Sequence, residues 1–219
     1  AADRLRAHLL ANDVGLDGAV ELPGPSGTAV IMVDAGAENT IVVAPGVNAQ
    51  LTVPPSVLPD CDVLLTQLEI PPTTALAAAR AARAAGAVVM VNASPAGQDA
   101  GALAELATAA DVVILNSSEA DEWPWRSTHF VVTLGADGAR YIGPDGQVDV
   151  PAPVVTALDT TGAGDVFAGA LAASWPRNAG SPDERLRALR RACAAGALAT
   201  LTPGAGDCAP GGKAIDAAL

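Results

Sequence analysis

Two aspartates bracket a turn of small residues in Asp159-Thr160-Thr161-Gly162-Ala163-Gly164-Asp165, which runs straight into Val166-Phe167-Ala168-Gly169-Ala170-Leu171. Phe167, Leu171 and Trp175 recur at four-residue spacing, which predicts a helix with one apolar face. The N–H groups of a helix's first turn have no intrahelical partner and carry the positive end of the dipole. Small side chains let an anion approach those groups closely. Asp165 then stands at the mouth of an anion hole, where a carboxylate can take a proton from an attacking hydroxyl. Phosphoryl transfer needs that layout, because its catalysis is mostly positioning and charge stabilisation. The plain alternative is a Gly-rich loop in which Asp165 only caps the helix, since Asp is a favoured capping residue.

Other chemistry-bearing residues follow strand-like stretches. Asn116 and Glu119 stand at the C-terminal end of an apolar run, where ligands of open α/β sheets collect. From spacing alone the same residues read as a helix start, with Ser117 or Ser118 as cap and Glu119 and Glu122 in the first turn. Thr133-Leu134-Gly135-Ala136-Asp137-Gly138 reads equally as a nucleotide-lining run or a tight turn. Glu69 could accept two sugar hydroxyls at once, or be a solvated loop acid before Pro71-Pro72. His8 and His129 fit no metal-ligand spacing and read as surface or helix-end residues. There is no Cys-x-x-Cys and no Gly-x-Ser-x-Gly.

The elements that would position these residues can be read from pattern. Residues 4–11 read as the end of a helix. Stretches 28–33 and 40–44 are rich in β-branched residues and read as a hairpin around Asp34–Asn39. Pro54, Pro55 and Pro59 then break the chain. From residue 62 strands and helices alternate: strand 62–66, helix 73–85 stopped by Gly86, strand 87–92, helix 99–110, then strands 111–115 and 130–134. Near-continuous apolar strands separated by helices predict a parallel sheet covered on both faces. A second hairpin is expected at 139–142 and 147–150 around Gly143-Pro144-Asp145-Gly146. Helices follow near 164–175 and 182–201. The stretch from Asn116 to His129 is short for a parallel crossover, which needs about a dozen residues or more and usually a helix. Glu122-Trp123-Pro124-Trp125-Arg126-Ser127 is a poor helix, so the connection is either irregular or incomplete.

The 219 residues are half hydrophobic, enough to bury a sizeable core. No apolar run reaches the length of a membrane span, and no apolar h-region follows Ala1-Ala2-Asp3-Arg4 as in a secretory signal. A formal charge of −12 argues against nucleic-acid or anionic-membrane partners. It does not argue against phosphate, which backbone dipoles and a metal ion can hold. The one basic cluster, Arg185, Arg187, Arg190 and Arg191, reads as a solvated helix face. Cys61, Cys193 and Cys208 are widely separated and odd in number, which fits buried or half-buried reduced thiols in a cytoplasmic protein.

Asp-Thr-x-Gly-Ala-Gly-Asp-x-Phe, at Asp159 to Phe167, resembles the C-terminal signature of the ribokinase family of sugar and nucleoside kinases. Gly27–Val30 and Glu38–Ala49 are similar to that family's lid strands and following loop. Gln67-Leu68-Glu69, Asn92–Ala96 and Asn116–Glu119 fall in the family's order. The resemblance implies a three-layer α/β/α sandwich with a mostly parallel sheet and a small β-lid. The lid would occupy about residues 20–46 and the nucleotide-binding part about 60–219. It also implies ATP-dependent phosphorylation of a sugar, D-ribose first, with Asp165 as general base and the Gly162, Ala163 and Gly164 amides facing the phosphate.

In the same terms Glu69 would grip the sugar, and Asn116 with Glu119 would order phosphates and Mg²⁺ through water. Thr133, Leu134, Gly135, Ala136, Asp137 and Gly138 would line the nucleotide together with Gly164 and Asp165, and Cys193 would sit at its adenine. A K⁺ activator would be held by Asp159, Thr161, Ala199, Thr202, Gly204 and Cys208, a set of one carboxylate and several carbonyls suited to a hard cation. The thiol of Cys208 is a poor ligand for potassium, so only its carbonyl would serve. Lid strands of two copies would clasp into a homodimer. The family also has front strands and helices with a Gly-Gly-rich motif and an Asn/Asp pair that grip the sugar, and nothing in these residues matches them. Three readings stay open: a ribose kinase, a kinase of another sugar or nucleoside, and a non-catalytic nucleotide-binding remnant.

Overall fold

Alternation along the strands decides the architecture. Strand β3 (Val63–Thr66), β4 (Val88–Asn92), β5 (Val112–Asn116) and β6 (His129–Thr133) pair in parallel, and β7 (Ala139–Gly143) and β8 (Gly146–Val150) extend the sheet as an antiparallel hairpin. Successive side chains of a strand point to opposite faces. Val89, Val91, Val113 and Leu115 therefore face one side, and Met90, Val112, Ile114 and Val131 the other, all buried. Helices α2 (Pro72–Ala84) and α3 (Ala100–Ala109) cover the first face with Leu76, Ala79, Leu103 and Leu106. Helices α5 (Ala163–Ser174) and α6 (Pro182–Ala199) cover the second with Phe167, Leu171, Ala188 and Leu189. The result is the expected three-layer α/β/α sandwich. The computed structural model describes residues 2–33, 39–53, 61–96, 99–177 and 180–219. The expected loop at Asp34–Glu38 and the breaks at Pro54, Pro55 and Pro59 lie outside the described residues.

Apolar packing outweighs surface charge in holding the layers. The Arg80–Glu105 bridge between α2 and α3 is more than half exposed on both sides, so it contributes at most about 1 kcal/mol. Each buried leucine beneath it contributes about 1.5–3 kcal/mol. Helix α1 (Ala2–Ala11) buries none of its residues, and strands β1 (Thr28–Val33) and β2 (Asn39–Ala44) form a separate two-stranded sheet, the hairpin expected for a lid. A short helix α7 (Gly212–Ala217) packs Ile215 against α6, an element the sequence pattern had not shown. The short crossover is irregular: a six-residue helix α4 (Ser117–Glu122) leads into residues 123–128, which form neither helix nor strand, before β6.

Two expectations about polar residues are corrected. His129 is not at the surface. It is buried, its Nδ1 lies 2.7 Å from the Tyr141 hydroxyl, and its ring meets Trp175 edge-on with centroids 5.3 Å apart. Arg185 is not on a solvated face either. It is buried at the start of α6, paired with Asp145 and donating to the Gly180 carbonyl at 2.9 Å. The antiparallel hairpin brings Tyr141 and Asp145 to these side chains, a long-range meeting that local pattern does not encode. All three cysteines are free, Cys193 and Cys208 buried and Cys61 half-buried, as expected.

Gly138 closes the turn after β6 with φ +98°. A Cβ there would collide with the Val150 carbonyl and the Ala152 N–H. Gly138→Ala is expected to lower stability by about 1–3 kcal/mol; a urea midpoint unchanged from the parent would refute this. Burial, and then the Arg185 charge, lower the pKa of His129 below its usual value. The neutral ring therefore favours the folded state. Its contribution is complete above about pH 6.5 and is lost as the pH falls through the lower folded value. Thermal unfolding between pH 7 and pH 5 should fall more steeply for the parent than for His129→Gln, and parallel curves would contradict the assignment.

Candidate active site

Strand β6 ends at Thr133, and its chain turns through Gly135–Asp137, with Leu134 N–H donating to the Gly138 carbonyl at 2.8 Å. Facing this turn are the first turn of α5, residues 152–157 after β8 and the C-terminal half of α6. Together they enclose a cavity of about 520 Å³, within the range of small-molecule and cofactor sites. Of the residues expected at a nucleotide, Thr133, Gly135, Ala136, Asp137, Gly138, Gly164 and Cys193 line it. Leu134, Asn116 and Asp165 are not among its lining residues. The wall also includes Pro153, Val155, Gly196 and Thr200, which the sequence reading missed. The Cys193 thiol is 3.6 Å from the Val150 carbonyl and burial pushes its pKa up to about 11, so it contributes a small apolar wall rather than a nucleophile.

The start of α5 is set by Gly162, whose φ of +79° places it in the left-handed region as N-cap, with no side-chain cap. A Cβ on Gly162 would lie 3.0 Å from Ala205, so the turn also depends on close backbone approach. Asp165 is therefore not the cap. It occupies the third position of the helix, exposed, with no hydrogen-bond or ion-pair partner among the described residues. Of the three expected anion-hole amides, Ala163 N–H already donates to the Thr160 carbonyl at 3.2 Å. Gly162, Gly164 and Asp165 N–H groups have no partner among the described residues. The helix start thus offers free donors beside a free carboxylate, at the rim of the cavity that Gly164 lines.

Asp159 fixes this turn against the chain after α6. Its two carboxylate oxygens accept the Thr161 N–H at 2.9 Å and the Gly204 N–H at 2.8 Å. The Thr161 hydroxyl, the Gly204 N–H and the Thr161 N–H lower its pKa to about 2. Leu158 and Asp159 N–H groups donate to the Thr200 carbonyl at 2.8 and 3.1 Å. Cys208 directs its thiol toward the Ala205 carbonyl at 3.4 Å and, more distantly, the Thr161 carbonyl. Thr202 N–H donates to the Ala199 carbonyl at 3.2 Å. These contacts set the Asp159–Thr161 turn against the end of α6 at Ala199 and the loop that carries Thr202, Gly204 and Cys208.

Asn116 and Glu119 form a reciprocal capping box at the start of α4: Glu119 N–H donates to Asn116 Oδ1 and Asn116 N–H to Glu119 Oε2, both at 2.8 Å. The cap is Asn116 itself, and neither Ser117 nor Ser118. Glu69 lies beyond the end of β3, exposed, at the edge of the sheet away from β6. Helix α5 also packs against β3. Among the described residues no three His, Cys, Asp or Glu side chains gather into a metal centre, and no described helix is long and apolar enough to cross a membrane.

Comparison with known proteins agrees with this geometry. The chain is 32% identical over 173 residues to a ribokinase from Mus musculus, covering 67% of this chain and 53% of the mouse protein. It is 44% identical over 77 residues to an aminoimidazole riboside kinase from Salmonella typhimurium, covering 34% of this chain and 24% of that one. The chain thus spans about half or less of the length of these curated relatives. The crystal structure of a ribokinase from Cryptococcus neoformans var. grubii in complex with ADP superposes with a TM-score of 0.84 at 27% identity, covering 98% of this chain and 78% of that one. The family model of pfkB carbohydrate kinases matches residues 1–211. With a ribokinase-like sandwich and the Asp159–Phe167 signature beside the 520 Å³ cavity, the chain belongs to the pfkB family of carbohydrate kinases.

Proposed function

We propose that this protein phosphorylates D-ribose with ATP, giving ADP and ribose 5-phosphate. The observation that carries the reading is the unpartnered Asp165 carboxylate beside the free Gly162, Gly164 and Asp165 N–H groups. Asp165 accepts the proton of the sugar's primary hydroxyl as that oxygen attacks the terminal phosphorus and the bond to ADP breaks. The free N–H groups hold the charge that builds on the transferred group. Adenosine fills the 520 Å³ cavity between the Thr133–Gly138 turn and Cys193, and Glu69 accepts sugar hydroxyls.

Mg²⁺ accompanies ATP in this family and, when bound, neutralises phosphate charge. Asn116 and Glu119 would orient it through water, because their box leaves further lone pairs on both carboxylate oxygens. Potassium fits the facing loops as an activator. Asp159 stays ionised down to about pH 2, and the carbonyls of Thr161, Ala199, Thr202, Gly204 and Cys208 supply the hard oxygens it prefers. The lid at about 20–46 closes over the sugar, and the nucleotide is held by about 60–219. The setting is the cytoplasm.

The short match to an aminoimidazole riboside kinase, at higher identity than the mouse ribokinase, favours a nucleoside-like substrate as the second reading. ADP release from MgATP separates the cases, measured with ribose, deoxyribose and a riboside, with and without K⁺. Ribose-dependent release that falls about 10²–10⁴-fold in Asp165→Asn is expected, with K⁺ raising the rate. Nucleotide binding without any sugar-dependent release would leave a nucleotide-binding module instead.

The lid hairpin exposes Val30 and Val42, cross-strand partners on one face of it, an apolar surface that a second copy's hairpin would cover, giving a homodimer. Light scattering at micromolar concentration should give the mass of two chains, and a single-chain mass would refute the clasp.

A further inference from the structure

The cavity that takes the nucleotide in the reading above is apolar where the base lies. The free N–H groups of Gly162, Gly164 and Asp165 fix its phosphate end at the start of α5. Gly196 of α6 meets that start, since a Cβ on it would come within 3.3 Å of the Ala163 carbonyl. Cys193 lies nearly one helical turn, about 5 Å, back along α6. Its thiol is at the Val150 carbonyl, where the strap of residues 152–157 leaves β8. The base end is therefore walled by Cys193, Gly196, Ala197, Pro153 and Val155.

The lining residues with a polar side chain are Thr133, Asp137, Thr160, Cys193 and Thr200. Three of them already donate within the fold: the Thr133 hydroxyl to the Leu115 carbonyl at 3.3 Å, the Thr200 hydroxyl to the Ala197 carbonyl at 2.7 Å and the Cys193 thiol to the Val150 carbonyl at 3.6 Å. Thr160 belongs to the turn before Gly162, at the phosphate end. Asp137 is exposed on the turn after β6, where water competes for its carboxylate. The strap makes no main-chain hydrogen bond among the described residues. It offers N–H and C=O groups alike, so a 6-oxo and a 6-amino purine each find a partner there.

We propose that the base end does not distinguish adenine from guanine or hypoxanthine, so that purine nucleoside triphosphates in general serve as phosphoryl donors. This rests on the phosphoryl-transfer reading above and adds the class of donor to it. A pocket that holds a group by apolar contact rejects a near-isostere weakly, whereas one built around a buried hydrogen-bonding group rejects it by about 10⁴-fold or more. Among the described residues no side chain of the second kind stands at this wall. The extra amino group of guanine is small against a cavity of about 520 Å³.

Calorimetric titration of the chain in Mg²⁺ with ADP, GDP, IDP and inorganic pyrophosphate tests the base end without any turnover. The three nucleotides should have Kd values within about tenfold of one another, and each should bind at least about tenfold more tightly than pyrophosphate. Cys193→Ala should leave the ratio of GDP to ADP affinity within about threefold of the parent's, because the thiol reads neither base. With a sugar acceptor present, kcat/KM for GTP and ITP should lie within about tenfold of that for ATP. A larger spread among the nucleotides, a ratio moved further by Cys193→Ala, or pyrophosphate binding within about tenfold of ADP would overturn the proposal and leave the phosphoryl-transfer reading standing. Matched nucleotide binding with no sugar-dependent release of any diphosphate would refute that reading and the donor role with it. No binding of any of the four would overturn both.

Discussion

One oxygen of the Asp159 carboxylate accepts an N–H from Thr161 and the other an N–H from Gly204, so two loops 45 residues apart share one anion. The rest of the site depends on that shared acceptor. It sets the chain from Leu158 to Thr161 against the end of α6, where the Thr200 carbonyl takes two further N–H groups. With those residues held, Gly162 can adopt its left-handed conformation close to Ala205, and α5 begins with its first donors facing outward. An ionised Asp159 is required throughout, because a protonated carboxyl loses most of its strength as an acceptor of several N–H groups at once.

The second constraint is the sheet itself. Strands buried on both faces force their connections to the ends, and the C-terminal ends of β3 to β6 collect Glu69, Asn116 and the Thr133–Gly138 turn at one rim. Helix α5 starts at that rim and packs against β3. Close packing of α5 on α6 depends on Gly196, where a Cβ would come within 3.3 Å of the Ala163 carbonyl and 3.4 Å of Phe167. The same small residue keeps the cavity open toward Cys193.

Polar groups placed inside the fold show how packing and electrostatics are reconciled. His129, Tyr141, Trp175, Arg185 and Asp145 meet at the end of β6 opposite the site. A buried guanidinium is tolerable only with a charge partner and further acceptors, and Asp145 and the Gly180 carbonyl supply them. The imidazole stays neutral, which spares the fold a second buried cation. At the other rim the capping box of Asn116 and Glu119 satisfies two N–H groups that the short α4 would otherwise leave open.

Local residue order determined a large part of this protein. The apolar runs at 63–66, 88–92 and 112–116, the Ala-rich helix before Gly86 and the Gly143–Gly146 turn carry their own periodicity and punctuation, and the structure follows them closely. The Asp159–Phe167 string carries the family resemblance, and it falls at the start of α5 beside the 520 Å³ cavity. Tertiary structure alone decided the local setting that several of these residues took. Asp165 is a free carboxylate and not a cap because Gly162, held near Ala205, takes the cap position. Arg185 and His129 are buried because a hairpin distant in sequence brings Asp145 and Tyr141 to them. Periodicity records which face of one element is apolar, whereas a cavity or an ion pair exists only between elements, and their approach is set by packing across the whole sheet.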